Sequence, residues 1–436
     1  MLKLKIRQIH IIGLCLSFLP FWWLVGIDQF VWLLLFGSLI IIHQSVLYNQ
    51  LVRWFLLYLV VQLVSSFFIV ENYRYLSFLR SWWINVGAFF GFIVVMKVVR
   101  NKVDIERMID YMIIPVAISC FVTTLAIFDI WQPHFRALIA NYLPSSIVGS
   151  MLGMAMFDKM LVGYSWFFNS ITVRSRGFFL YPTSYSTVLS MLIPFVFWKI
   201  RFGKKKKLYI LILGLMIINL LSTTSRVSII SLLVGSLYMV ISNRSLLSRI
   251  FFLFPLLLVL LGAISLENVR NIFDTLLYAR GRGSVESRTT VYEATVRGFL
   301  ERPIFGWGTE RDIRESLFPA GSHSYYLSIL YKNGIAGIFI FLILTYTTWK
   351  YTSPISGNSL FSDEINMLLR YGRWSFIAVL INNLTDALDL DAITYTIFWT
   401  LMGTLVVAQF YLKSKYGLYT TQSRVNTHFD KMTSTN

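Results

Sequence analysis

Charge is what this sequence has least of. Asp, Glu, Lys and Arg together make up 14% of its 436 residues, against 56% hydrophobic residues. That balance excludes an ordinary soluble domain, whose core cannot absorb repeated apolar runs of about 16 to 20 residues. Cysteine is nearly missing too. Cys15 and Cys120 both lie inside apolar runs, which excludes a disulfide framework and any metal-type cysteine spacing. No internal repeat stands out. The N-terminal MLKLKIRQIH enters an apolar stretch with no small-residue cleavage site, so it reads as a retained first helix rather than a signal peptide. The net charge of +18 raises nucleic acid as a partner, but the lysines answer it: Lys204 to Lys207 sit in a short loop between apolar runs, where they serve topology.

What is present is a succession of apolar runs, about twelve, near 10–27, 30–47, 54–70, 81–97, 108–128, 182–199, 207–223, 227–243, 249–266, 323–347, 373–389 and 392–412. The predicted fold is an all-α polytopic integral membrane protein with about twelve transmembrane helices and two long extracytoplasmic loops. Basic residues test the sidedness. With Lys3, Lys5 and Arg7 inside, every even turn should be basic. Arg53, KVVRNKVDIER, KIRFGKKKKL, NRSLLSR, the Lys350–Arg373 connection and the Lys413/Lys415 tail all comply. Both termini are then cytoplasmic. Residues 145–168 are apolar enough to tempt a further span, but Asp158 and Lys159 near the middle argue for an interfacial or re-entrant piece outside. The organisation is therefore 1–128 with helices one to five, 129–181 as the first long outer loop, 182–266 with helices six to nine, 267–322 as the second outer loop, 323–412 with helices ten to twelve, and a loose tail at 413–436.

The second outer loop carries eight arginines, eight acidic residues and no lysine. A salt-bridged amphipathic loop is one reading. Phosphate binding is the other, because guanidinium offers a planar bidentate fork. Four polar features fall on this outer side. RSRGFFLYPTSYS places Arg174 and Arg176 before a turn at Tyr181-Pro182. LLSTTSRVS sets Arg226 between two apolar runs, either snorkelling to the interface or facing a water-filled cavity. GSVESRTTVYEATVRGFLERPIFGWG reads as a short amphipathic helix capped by Ser287, with Arg288 in its first turn, a flexible glycine-flanked corner after it, and Pro303 as its stop. A cation in a first turn opposes the helix dipole, which points to an anionic ligand. GSHSYYLSILYKNGIAG places His323 where the second outer loop enters the tenth span. Neighbouring arginines would depress its pKa and leave a neutral imidazole as a base. Gly334 and Gly337 read as small residues that let a neighbouring helix approach. Asp386, Asp389 and Asp391 would orient a sugar hydroxyl or the histidine, or simply cap a turn, and Asp28 reads as a plain loop residue. No pair of carboxylates is spaced for a metal beside the arginines, and no cofactor is expected.

These residues resemble the O-antigen ligase and O-antigen polymerase superfamily of bacterial membrane glycosyltransferases. His323-Ser324, nine residues, then Gly334-x-x-Gly337 is similar to its His-Asn/Ser/Gln, nine residues, Gly-x-x-Gly/Thr/Tyr signature. SRTTVYEATVRGFLERPIFGWG, STTSR and RGFFLYPTSYS resemble its upstream motifs, with serine in place of the usual asparagine after the histidine and Pro-Thr in place of Pro-Asn. Residues 170–340 carry the likeness. The resemblance implies a bacterial cytoplasmic-membrane enzyme that uses an undecaprenyl-diphosphate-linked glycan in metal-independent, inverting transfer to a glycan or lipid acceptor. It implies His323 as the catalytic base and Arg176, Arg226 and Arg288 on the diphosphate. Arg174, Tyr292, Trp307, Ser324 and Asp386 are further candidates for substrate contact. Polymerisation of repeat units into a surface polysaccharide is the favoured activity. Ligation of a finished glycan, and a lipid-glycan flippase or transporter, are the alternatives.

Overall fold

The computed structural model describes residues 8–42, 49–167, 170–242, 282–313, 316, 318–356 and 363–418. The expected ninth span, Arg270, Arg280, Arg314 and most of the tail lie outside these residues. The described chain is mostly helical. Helix is what apolar runs must form in a bilayer, where each backbone N–H and C=O needs a partner within its own segment. Among the described residues, four helices are long and apolar enough to cross a membrane: Asn72–Val98, Lys102–Ile127, Tyr325–Tyr351 and Ala392–Lys415. The expected first span is instead two helices, α1 (Gln8–Ser17) and α2 (Leu19–Val25), bent by 49° and making a fifth if counted as one. Pro20 sits in the first turn of α2, where its missing N–H is harmless but marks a new helix start.

The remaining runs become α3 (Val31–Ile42), α4 (Gln50–Ser66), α5 (Tyr75–Val98), α6 (Lys102–Ile127), α9 (Pro182–Phe202), α10 (Lys206–Ser222) and α11 (Arg226–Ser242). After them come α12 (Arg282–Glu301), α13 (Tyr325–Tyr351), α14 (Glu364–Asn382) and α15 (Ala392–Lys415). The eleventh run does not begin at 373 as expected. It starts at Glu364, where the Asp363 carboxylate accepts from the N–H of Ile365 and Asn366, so Arg370 and Arg373 are buried within it. One hydrophobic cluster holds α5 against α15 and α14 against α9 and α11. Aromatic rings fill it, with Trp399 within 4.4 Å of Phe55 between centroids.

The expectation of an all-α chain needs correction in the first outer connection. There α7 (Ser145–Val148) and α8 (Met151–Phe157) are followed by strands. β1 (His134–Arg136) pairs antiparallel with β2 (Asp158–Met160), and β3 (Val162–Phe167) with β4 (Ser170–Ser175) in register Val162 to Ser175. Lys159 explains why this segment is no span. It is 2% exposed and meets Asp28 at 2.7 Å. Asp28 is therefore no plain loop residue but half of a buried ion pair. Gln29 extends the network, donating to Asp28 at 3.1 Å and to Asp391 at 2.7 Å, and Thr394 donates to Asp391 at 2.7 Å.

The helices define two rims. One gathers the starts of α9, α11, α13 and α15 with the ends of α10 and α14. The other gathers Lys102 on Glu364 (2.6 Å), Lys199 on Asp110 (2.8 Å) and Lys415 on Asp363 (2.7 Å).

Candidate functional site

The first rim is where the sequence-predicted residues meet. The stretch Ser222 to Arg226 is too short for more than a turn, and Thr224 takes a left-handed φ of 54° to make it. Arg226 opens α11. Arg174, at the end of β4, reaches this turn and donates from Nε to the Thr223 carbonyl at 2.9 Å. Arg288 comes from α12. That helix begins at Arg282 and is already helical at Ser287, so Ser287 is not its N-cap and Arg288 is not in its first turn. No proline stops the helix from extending back past Ser287, and the dipole argument for an anion falls away. The charge argument replaces it. Arg226 and Arg288 lie within electrostatic reach of each other, and Arg288 also acts on His323, Tyr292 and Asp386. Two cations held within reach of each other favour an anion at that point.

His323 sits at the apex of a turn that periodicity cannot show. Its φ is 65°, and the Ser324 N–H donates back to the Ser322 carbonyl at 3.0 Å. An i to i+2 bond around a positive φ is the rarer, strained γ-turn. The strain is over-determined by neighbours. Gly321 N–H donates to Thr295 Oγ1 on α12 at 2.8 Å, Tyr292 Oη donates to the His323 carbonyl at 3.4 Å, and Phe318 meets the imidazole edge-on at 4.4 Å. Nε2 is buried and bonds to none of the described residues. Burial, then the Arg288 charge, push the imidazole pKa down to about 4, so the ring is neutral near pH 7.

Asp386 completes the group from the α14–α15 connection. Burial pushes its pKa up to about 6, while a hydrogen bond from Thr183, at the start of α9, and the charges of Arg288 and Arg174 oppose the rise. Thus Arg174, Arg226, Arg288, Tyr292, His323 and Asp386 form one constellation drawn from five segments.

Three other residues are placed differently. Arg176 donates to the Asp158 carbonyl at 2.9 Å and the Ala155 carbonyl at 3.4 Å, and its charge is felt with Asp28, Asp158 and Asp391. The RSR motif therefore presents Arg174, not Arg176, to the arginine group. Ser324 caps α13 by accepting from Leu327 N–H at 3.5 Å and donating to the Asn383 carbonyl at 3.5 Å. Trp307 is packing: its indole donates to Gly298 O at 2.8 Å and lies between Arg302 and Arg311 at 3.9 and 4.1 Å.

Gly334 and Gly337 do not admit a neighbouring helix. Gly334 breaks α13 with φ 63° and ψ −162°. The N–H groups freed there, Ile335 and Ala336, donate to the Pro303 and Ile304 carbonyls at 2.8 and 3.1 Å. A Cβ at Gly334 would collide with the Ile304 carbonyl oxygen, whereas the atoms nearest to one at Gly337 belong to Asn333 and Ile329 of its own helix. The FGWG corner is accordingly fixed, not flexible.

Fold and site together define a membrane-spanning helical protein with an arginine, histidine and carboxylate site at one rim of its bundle. Residues 211–342, which supply Arg226, Arg288, Tyr292 and His323, match the family model described as O-antigen ligase. No curated protein matches the chain.

Proposed function

We propose that this chain is a glycosyltransferase that extends a surface polysaccharide from an undecaprenyl-diphosphate-linked donor on the outer face of the bacterial cytoplasmic membrane. The observation that carries the proposal is the junction of Arg226 and Arg288 with a half-buried, neutral His323 whose buried Nε2 bonds to none of the described residues. The acceptor hydroxyl oxygen bonds to the anomeric carbon as the bond from that carbon to the diphosphate oxygen breaks, inverting the centre. The hydroxyl proton passes to His323 Nε2, and the electron pair leaves on the diphosphate. Arg226 and Arg288, with Arg174 beside them, hold that growing charge, the electrostatic service a divalent ion supplies elsewhere. An imidazole with a pKa of about 4 is a feeble base. A bound diphosphate offsets the Arg288 charge and raises it, so the base strengthens only when donor is present.

Ligation of a finished glycan is the second reading, favoured by the match of residues 211–342 to the O-antigen ligase family model. Purified protein given lipid-linked repeat units separates the two: a polymerase makes a ladder of longer lipid-linked chains, a ligase does not. His323→Ala should lower turnover by about 100-fold or more, the usual order of a general-base contribution. Retained turnover would refute the base. Arg288→Lys should cost about tenfold or more, since an ammonium cannot reproduce a bidentate fork.

A further inference from the structure

Lys332 is buried on α13, where it meets two of the chain segments that lead to the site. Its ammonium lies 2.9 Å from Glu310, on the chain that follows α12, and 4.0 Å from Asp389, on the connection that carries Asp386. Its carbonyl accepts from Gly308 N–H at 2.8 Å, and the neighbouring Tyr331 carbonyl accepts from Trp307 N–H at 3.0 Å. With the two bonds to Ile335 and Ala336 at the Gly334 break, four backbone hydrogen bonds stitch the Pro303–Gly308 corner into α13. The lysine closes that seam by charge. Glu310 is itself held, because Arg74 donates to its carbonyl and pairs with Asp312 at 2.7 Å. Arg311 and Ala320 then exchange two backbone bonds, 2.7 and 3.3 Å, on the path to His323.

We infer that Lys332 is a positioning residue for the transfer reaction: it clasps the segments bearing Arg288, His323 and Asp386 in their working arrangement. The inference rests on the glycosyltransferase reading for its kinetic consequence, but the clasp itself stands on the contacts alone. A plain packing lysine would need one partner. This one has carboxylates from two different segments and a polar cavity beside it, lined by Gln62, Ser81 and Ser328. Displacing a reacting group by about 1 Å costs on the order of 100-fold in rate, so slackening the clasp should act on kcat rather than on donor affinity.

The test uses the full chain in detergent or nanodiscs. Spin labels go on Glu293→Cys and Leu384→Cys, both exposed, in a protein whose own Cys15 and Cys120 are buried. Lys332→Met should broaden the distance distribution between the labels, Glu310→Gln should broaden it less, and Lys332→Arg should narrow it again. In transfer assays per folded protein, Lys332→Met should lower kcat by about tenfold or more with KM within about twofold, and Lys332→Arg should recover part of the loss. An unchanged distance distribution in both Lys332→Met and Glu310→Gln overturns the clasp. An unchanged kcat per folded protein, or a loss confined to KM, overturns the positioning role. If the unmutated chain transfers no glycan while the labels still broaden, the glycosyltransferase reading fails and the clasp survives. Should Lys332→Met not fold, Glu310→Gln carries both measurements, since Glu310 is partly exposed.

Discussion

At the scale of single residues, two titrating groups set the pH behaviour. His323 falls to about 4 and Asp386 rises to about 6. Folding therefore disfavours the imidazolium, a contribution lost as pH falls from about 6.5 towards 4, and disfavours the Asp386 carboxylate, a cost that appears as pH rises through about 6. Between these values the two linkages oppose each other, so activity separates them better than melting does. The acid limb of kcat/KM should inflect near 6 through Asp386, and Asp386→Asn should move it towards 4, where His323 titrates. A wild-type limb already near 4 would remove Asp386 from the ionising machinery. The buried Lys159–Asp28 pair makes a second case. Removing one partner strands the other charge away from water, which costs about 3–5 kcal/mol. Lys159→Met should lower the melting temperature in detergent sharply, and the double change with Asp28→Asn should restore part of it. Reading the sequence singled out His323 and Arg288 as candidates because ionisable residues are rare here and therefore conspicuous. It missed the Lys159–Asp28 pair and the reach of Lys332, because both join residues more than a hundred or fifty positions apart and leave no local pattern.

At the scale of elements, the helices were legible and their interruptions were not. Apolar length dictates a helix in a bilayer, so the helical state of the described apolar runs follows from composition. The break at Gly334 depends on a loop from elsewhere supplying the Pro303 and Ile304 carbonyls, and a glycine within an apolar run reads equally well as a packing site. The consequence is testable. Ala at 334 would have to hold a left-handed φ and displace a carbonyl, a strain on the order of 1–3 kcal/mol before any clash is counted. Gly334→Ala should lower both melting temperature and turnover, whereas Gly337→Ala, crowded most closely by its own helix, should be milder. Equal effects on melting from the two would argue that the break is not held by the loop. The start of α12 taught the same lesson from the other side. Ser287 has the chemistry of a cap, but nothing before it forbids helix, and the helix runs through it.

At the scale of the whole molecule, the charge pattern that predicts sidedness coincides with the two rims. The site rim relies on arginines and buried carboxylates. The opposite rim carries Lys102, Lys199 and Lys415 in ion pairs and the exposed run from Lys204 to Lys207. The ends of α9, α10, α11, α13, α14 and α15 meet alternately at one rim and the other, so one placement in the membrane fixes all of them. The proposed outward-facing site, by the positive-inside rule, expects Lys205 in the cytoplasm and Glu293, on α12 beside the site, outside. Single cysteines at these two exposed positions should divide cleanly in intact cells. A membrane-impermeant maleimide added outside should label Glu293→Cys and spare Lys205→Cys until the membrane is opened. Labelling of Lys205→Cys alone would turn the site to the cytoplasm. His323 would then face nucleotide-linked sugars rather than a lipid-linked chain on the outer leaflet, and the donor proposed for Arg226 and Arg288 would have to change with it.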